Sequence, residues 1–227
     1  MTRLGIGVLS LALLAPPAAE QAVPFKVGET LTYDVSWSSY LTAGTAVATV
    51  TEKRASHNAA VYSIVTEGRP TPLVSKLYNL YYKIDTLLDA STLLPTRAST
   101  YSEEGRRHRL RTTEFDLPEN KGRQDPLSVI YVLRAKPLKV GERIRMAVTN
   151  ADKQYTVAFE VGATERLRTP IGDVDAWQVR ASIVDTKGET AAKNVALWLS
   201  TDARRLPVKI RADLPFGTFT LALRDVR

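Results

Sequence analysis

From residue 24 onward, apolar and polar residues alternate with a period of two rather than 3.6. In "TLTYDVSW" Leu31, Tyr33, Val35 and Trp37 fall on one side, and Thr30, Thr32, Asp34 and Ser36 on the other. "RIRMAV" repeats the rule with Ile144, Met146 and Val148, and "QYTVAFEV" with Tyr155, Val157, Phe159 and Val161. "AWQVRASI" places Trp177, Val179, Ala181 and Ile183 together, and "TFTLALRDV" does so with Phe219, Leu221 and Leu223. Strands that alternate in this way bury one face and wet the other, as antiparallel sheets do. Turn sequences recur at hairpin spacing, in "SEEGRR" (102–107), "NADK" (150–153), "TPIGDV" (169–174) and "LPFGT" (214–218). The pattern predicts about a dozen strands. Two stretches break it. "DPLSVIYVLRAK" (125–136) carries an Asp at the N-cap position, Pro at the first helical position and apolar residues at 127, 130, 131 and 133, which predicts a helix. "PLVSKLYN" (72–79) predicts a shorter helical turn.

The chain also writes one line twice. "FKVGETLTYDV" (25–35) and "LKVGERIRMAV" (138–148) agree at Lys26/Lys139, Val27/Val140, Gly28/Gly141, Glu29/Glu142 and Val35/Val148. "LLDASTLLPTR" (87–97) is answered by "LSTDARRLPVK" (199–209), with Leu94-Pro95 matching Leu206-Pro207. The layout is two pseudo-repeats, about 25–116 and 138–227, joined by the helix near 125–136. A half of about six strands cannot bury an apolar face alone. The two must close on each other as a single β-rich domain over residues 24–227. The expected fold is all-β with one or two short helices: a large antiparallel sheet curled into a barrel or half-barrel, built from two similar halves. A barrel wider than about eight strands encloses space that needs a plug or a ligand.

The first residues stand apart from this pattern. "MTRLGIGVLSLALLAPPAAEQA" has a basic Arg3, an apolar run from Leu4 to Ala15 and a Pro/Ala-rich end, which predicts a cleaved signal peptide over residues 1–19 and a periplasmic protein. There is no cysteine, so neither a disulfide nor a cysteine-linked lipid is available. Lys and Arg number 31 against 24 Asp and Glu, a formal charge of +7. In an exported protein that excess points to lipid head groups, lipopolysaccharide phosphates or cell-wall polymers, and not to nucleic acid.

Catalytic chemistry finds little footing. His57 lies in the polar "RASHNAA" and His108 in a run of arginines, without metal-ligand spacing. Asp85 with Asp89 is a carboxylate pair, but Asp89 reads as a turn residue before "STLLP". No catalytic residue, cofactor or metal is therefore assigned. The sharpest local feature is "GRRHRLR" (105–111). In a strand Arg107, Arg109 and Arg111 share one face, and Arg97 is expected to face them across the hairpin. Like charges side by side cost stability unless they meet an anion, so these four arginines are the candidate anion site. Glu103 and Glu104, in the turn, are the nearest partners for Arg106 or Arg107. Tyr33, Trp37, Tyr62, Tyr81, Tyr82, Trp177 and Trp198 are the candidates to line an open interior; in a filled one they are core.

The ordered set "FKVGETLTYDVSW", "IDTLLDASTLLPTR", "DPLSVIYVLR", "GERIRM", "TPIGDVDAWQV", "LWLSTDARRLPVKI" and "FGTFTLAL" resembles the DUF3108 family of exported bacterial proteins over residues 25–225. The resemblance implies a periplasmic β-rich protein of unassigned function. "LWLSTDARRLPVKI" is also similar to the Leu-Pro hairpin of lipoprotein carriers of the LolA/LolB type, open half-barrels that hold acyl chains on a concave apolar face. The leading expectation is a non-enzymatic periplasmic protein that holds a lipidic or amphipathic envelope component in a concave β-cavity. Its partners would be an envelope lipid, lipopolysaccharide or glycan, with peripheral membrane contact and no nucleic acid. A glycan-binding or scaffold module of the cell envelope is the alternative, and a hydrolase the third reading. A cavity lined by Leu, Val and Phe favours lipid; a groove of Tyr, Trp and Asp favours glycan.

Overall fold

Each half opens on the same turn, and the two turns fold alike. In the computed structural model, which describes residues 21–38, 41–56, 59–77, 80–214 and 217–227, Gly28 and Gly141 have φ of +86° and +80°. Only glycine adopts that conformation without strain. The Gly28 N–H donates to Val50 O at 2.8 Å and the Val50 N–H to Glu29 O at 2.9 Å. Gly141, Val161 and Glu142 repeat both bonds at the same lengths. The proposed signal segment, His57 and Tyr78 lie outside the described residues.

Twelve strands follow in chain order with two helices: β1 (Thr30–Trp37), β2 (Leu41–Ser56), β3 (Ala59–Pro70), α1 (Pro72–Leu77), β4 (Leu80–Asp89), β5 (Pro95–Glu104), β6 (Arg107–Glu114), α2 (Pro126–Ala135), β7 (Arg143–Asn150), β8 (Lys153–Thr169), β9 (Gly172–Asp185), β10 (Thr190–Ser200), β11 (Pro207–Leu214) and β12 (Gly217–Val226). They form one antiparallel sheet, ordered β6-β5-β4-β3-β2-β1-β12-β11-β10-β9-β8-β7. The order is two six-stranded meanders joined through the β1–β12 pair, with Trp37 opposite Phe219. The sheet curls until it is nearly a closed barrel. Pro95 and Pro207 each begin a strand at an irregularity in the ladder, where a missing N–H leaves no gap. Leu93 and Arg205, two residues before them, both have positive φ, +54° and +47°.

The outer strands β6 and β7 do not pair with each other. The connection between β6 and α2 closes the gap with side chains. Asn120 Nδ2 donates to Glu114 O at 3.0 Å, and its Oδ1 accepts from the Thr149 hydroxyl at 3.1 Å. Arg123 donates to Thr149 Oγ1, Val148 O and Tyr155 O. Thr113 Oγ1 donates to Ala151 O at 3.1 Å across the same seam.

Helix α2 lies against the inner face of the sheet. Its start is held by Asp125, whose carboxylate accepts from the Leu127 and Ser128 N–H groups and from the Thr86 hydroxyl on β4. Such a cap is worth about 1 kcal/mol. Burial raises the Asp125 carboxyl above its ordinary range, a rise that these donors oppose. Leu127, Tyr131 and Val132 pack on Phe25, Val50, Tyr62, Ile64 and Leu88 of the first half. Val129 and Leu133 pack on Val157, Phe159, Val161, Val179, Leu197 and Leu199 of the second. At the C-terminal end, Arg134 enters the core and meets Glu29 at 2.6 and 2.9 Å, beside the rings of Phe25 and Tyr131, which pack edge-to-face on each other. One end of the barrel, where the two glycine turns dock, is thereby plugged.

Candidate ligand-binding site

The plug reaches only part of the way. Between α2 and the inner face of β7–β11 remains a cavity of about 340 Å³. Its walls are aliphatic: Val129, Ile130 and Leu133 of α2 face Val157, Phe159, Val179, Ala181 and Ile183 across the space. Four alanines, Ala181, Ala191, Ala192 and Ala196, leave the room that larger side chains would fill. Asn150 and Tyr155, at the turn joining β7 to β8, bound its outer end.

The same two residues bound a second, polar space of about 240 Å³ at the seam. Its other lining includes Tyr82, Thr100, Ser102, Glu104, Arg109, Arg111 and Lys153. The register explains the grouping. Tyr82 is opposite Ser102, and Ser102 opposite Arg109, so the three share one face across β4, β5 and β6. Ser102 is buried, which makes this the inner face. Burial raises the Tyr82 phenol above its ordinary range, so the hydroxyl stays protonated beside the arginines. Arg111 forms an exposed ion pair with Asp152 at 3.2 Å, while Arg107 and Arg109 have no carboxylate partner among the described residues. An exposed pair such as Arg111–Asp152 contributes at most about 1 kcal/mol, so it holds the Arg111 guanidinium only weakly.

The sequence-predicted arginines thus separate. Arg107, Arg109 and Arg111 share the inner face of β6. Arg97 does not join them: it is opposite Glu114, on the other face, because the ladder from Arg97/Glu114 to Glu104/Arg107 is regular and places odd-numbered β5 residues outward. Glu104 is opposite Arg107. Glu103 lies instead 3.8 Å from His108 and accepts from the Tyr101 hydroxyl.

None of the seven aromatic candidates lines the apolar cavity. Tyr33 and Tyr62 are core residues, and burial drives the Tyr33 phenol well above its ordinary range. Trp177 packs partly buried on the second-half core. Trp198 is buried with its indole N–H on Glu165 and the Lys209 ammonium 4.8 Å from its ring, at the edge of an outer groove on β9–β11. Tyr81 stacks edge-on against Tyr101 under the Arg69 guanidinium. Trp37 stacks on Phe219 where the inner face reaches the open end, and Tyr82 reaches the seam space. The aliphatic lining was visible in the alternation of "QYTVAFEV" and "AWQVRASI"; the alanines of "ETAAKNVAL", which leave the void, were the unused indication.

Asp89 is a turn residue, its carboxylate accepting from the backbone and hydroxyl groups of Ser91 and Thr92. Asp85 lies four residues along the same strand, about 13 Å away at ordinary strand rise, and its ladder partners are Val65 and Ser99. Among the described residues no group of His, Cys, Asp and Glu could hold a metal ion.

A curled twelve-stranded sheet around a partial helical plug defines a β-barrel-like protein with an inner chamber. Within that class the chain belongs to the DUF3108 family, described as a protein of unknown function, whose model matches residues 32–123 and 112–224. No curated protein matches the sequence. A β-barrel-like protein of a domain of unknown function, DUF1849, from Brucella abortus has the same fold, with a TM-score of 0.55 at 12% identity over 88% of this chain and 97% of that one. A candidate lipoprotein from Parabacteroides distasonis is more distant, with a TM-score of 0.44 at 10% identity over 92% of this chain and all of that one.

Proposed function

We propose that the protein is a non-enzymatic binding protein of the bacterial envelope that holds a small amphipathic molecule, its apolar part in the chamber between α2 and β7–β11 and its anionic group at Arg109 and Arg111. One observation carries the reading: Asn150 and Tyr155 line both the aliphatic cavity and the arginine-lined space, so the two lie side by side with only these side chains shared between them. At about 340 Å³ the cavity is at the small end of ligand pockets, roughly 300–1,000 Å³, which suits one chain and not several. The aliphatic lining favours a lipid over a glycan, whose recognition would use Tyr, Trp and Asp. The chemistry of the site is complementary at both ends, because charge-assisted bonds from guanidinium to carboxylate or phosphate are strong where water is partly excluded.

The test is a titration with a pyrene-labelled fatty acid and with its methyl ester. Ala181→Trp, which fills the cavity, should abolish saturable binding of both probes. Arg109→Gln with Arg111→Gln should weaken the acid at least tenfold, about 1.4 kcal/mol, and leave the ester unchanged. Equal affinities in all three proteins would overturn the reading.

A further inference from the structure

The chamber opens at one end of the barrel, and that end differs chemically from the plugged end. The strand order places the β1–β2, β3–β4, β5–β6, β7–β8, β9–β10 and β11–β12 connections together at the open end. The glycine turns, Arg134 and the Leu-Pro hairpins lie at the other. At the open end Trp37 is 40% exposed, Leu80 40% and Leu73, on the short helix α1, 65%. They follow one another around the rim, from the β1 terminus through α1 to the start of β4. Next come three exposed cations, Lys76 in the last turn of α1, Arg106 in the β5–β6 turn and Arg107 at the start of β6, none in an ion pair with a carboxylate among the described residues.

We infer that this rim docks the protein onto an anionic lipid bilayer, with Trp37, Leu73 and Leu80 entering the head-group region and Lys76, Arg106 and Arg107 meeting lipid phosphates. Tryptophan and leucine beside basic residues are the side chains that bind at a membrane interface, where an amphipathic ring and a charged head are both satisfied. Juxtaposed cations add attraction to an anionic leaflet. The patch lies on the first-half side of the rim, across the open end from the β7–β11 wall of the chamber, so a docked barrel turns its open end to the bilayer. A molecule leaving the bilayer then enters without exposing its apolar part to water. This last step rests on the proposed function; the docking itself does not.

The experiment is flotation of the full mature chain with vesicles of phosphatidylglycerol and phosphatidylethanolamine, against vesicles of phosphatidylcholine. The wild type should float with the anionic vesicles. Leu73→Glu with Leu80→Glu should weaken this at least tenfold while unchanged urea melts show an intact fold. In 1 M salt, where screening acts within about 3 Å, part of the wild-type binding should persist through the apolar anchors. Ala181→Trp separates the two ideas: it should float like the wild type although its chamber is blocked. Rim variants that float as well as the wild type, or binding that vanishes wholly in 1 M salt, would overturn the inference and leave the chamber reading standing. So would a wild type that ignores both vesicles, an outcome expected if the rim fits a protein partner.

Discussion

Glu29 and Glu142 occupy the same place in the repeated turn, yet removing them should have very different consequences. The Glu29 carboxylate makes a bidentate contact with Arg134 at 2.6 and 2.9 Å, and the two residues are 6% and 1% exposed. Arg134 also donates to Arg204 O at 3.2 Å, tying the plug to the β10–β11 hairpin. The Glu142 carboxylate only accepts the Lys139 N–H at 3.2 Å near solvent. Glu29→Ala leaves a guanidinium buried without its counter-ion, a defect that costs about 3–5 kcal/mol. Glu142→Ala removes one exposed bond and should cost under about 1 kcal/mol. With a urea m-value of about 2–3 kcal/mol/M, the first shifts the midpoint down by about 1.5 M and the second by less than about 0.5 M. Replacing both members of the pair, Glu29→Leu with Arg134→Met, should recover most of the loss, because no charge is then stranded. The assay is equilibrium urea unfolding followed by tryptophan fluorescence. Equal shifts for the two alanine variants, or a double variant as unstable as Glu29→Ala, would refute the reasoning.

Leu206 is 1% exposed beside the strand-initial Pro207, so Leu206→Ala should cost about 2–4 kcal/mol in the same assay; an unmoved midpoint would remove it from the core. Burial alone would raise the Asp89 carboxyl, but the donors of Ser91 and Thr92 outweigh it and hold the group below its ordinary 3.8. A depressed carboxylate adds stability that is present above the unfolded value and lost as pH falls through the folded one. Asp89→Asn should therefore be less stable at neutral pH and fall less steeply below about pH 4; parallel pH profiles would contradict this. N-terminal sequencing of the exported protein should begin between Ala18 and Val23, and an intact Met1 in a membrane fraction would count against export by cleavage.

The alternation, the turns and both helices were legible because each is a local rule. Period two places Leu31, Tyr33 and Val35 on one face whatever the partner strand, and Asp125-Pro126 caps a helix from its own side chain. The arginine face was legible for the same reason, since Arg107, Arg109 and Arg111 belong to one strand. Arg97 was misplaced because its side depends on the register of a hairpin, where a single residue reverses the face. The cavity was expected, but its lining was sought among the wrong residues, for a deeper cause. Large aromatic side chains attract notice in a sequence, but they fill space; Tyr33, Tyr62 and Trp198 are buried. A void forms where small residues of neighbouring strands line one space, as Ala181 of β9 and Ala192 and Ala196 of β10 do, and that grouping exists only after folding.

The two halves share a path but not an interior, and that difference gives the chamber its two ends. From Val50 the inner row runs through Ile64, Thr86 and Ala98 to Thr113. From Val161, which makes the same turn contact, it runs through Val179, Leu197 and Ile210 to Leu221. One row nearer the mouth, Thr66, Ile84, Thr100 and Arg111 correspond to Ala181, Val195, Ala212 and Phe219. The next row sets Gly68 and Tyr82, with Ser102 and Arg109 beyond, against Ile183 and Ala192. Hydroxyls and guanidinium groups line the first half where aliphatic and aromatic groups line the second. Core stability does not require such a division: buried hydroxyls gain little over apolar packing, and an unpaired arginine inside a barrel wall gains nothing from its neighbours. A chamber polar on one wall and apolar on the other is what a ligand with both characters would require. Replacing Thr66 and Thr100 by valine, which keeps their shape, should preserve stability, while Thr86 is kept because its hydroxyl donates to the buried Asp125 carboxylate. The same replacement should weaken binding of an anionic amphiphile relative to its neutral ester. Unchanged discrimination between the two probes would show that the polar wall takes no part in recognition.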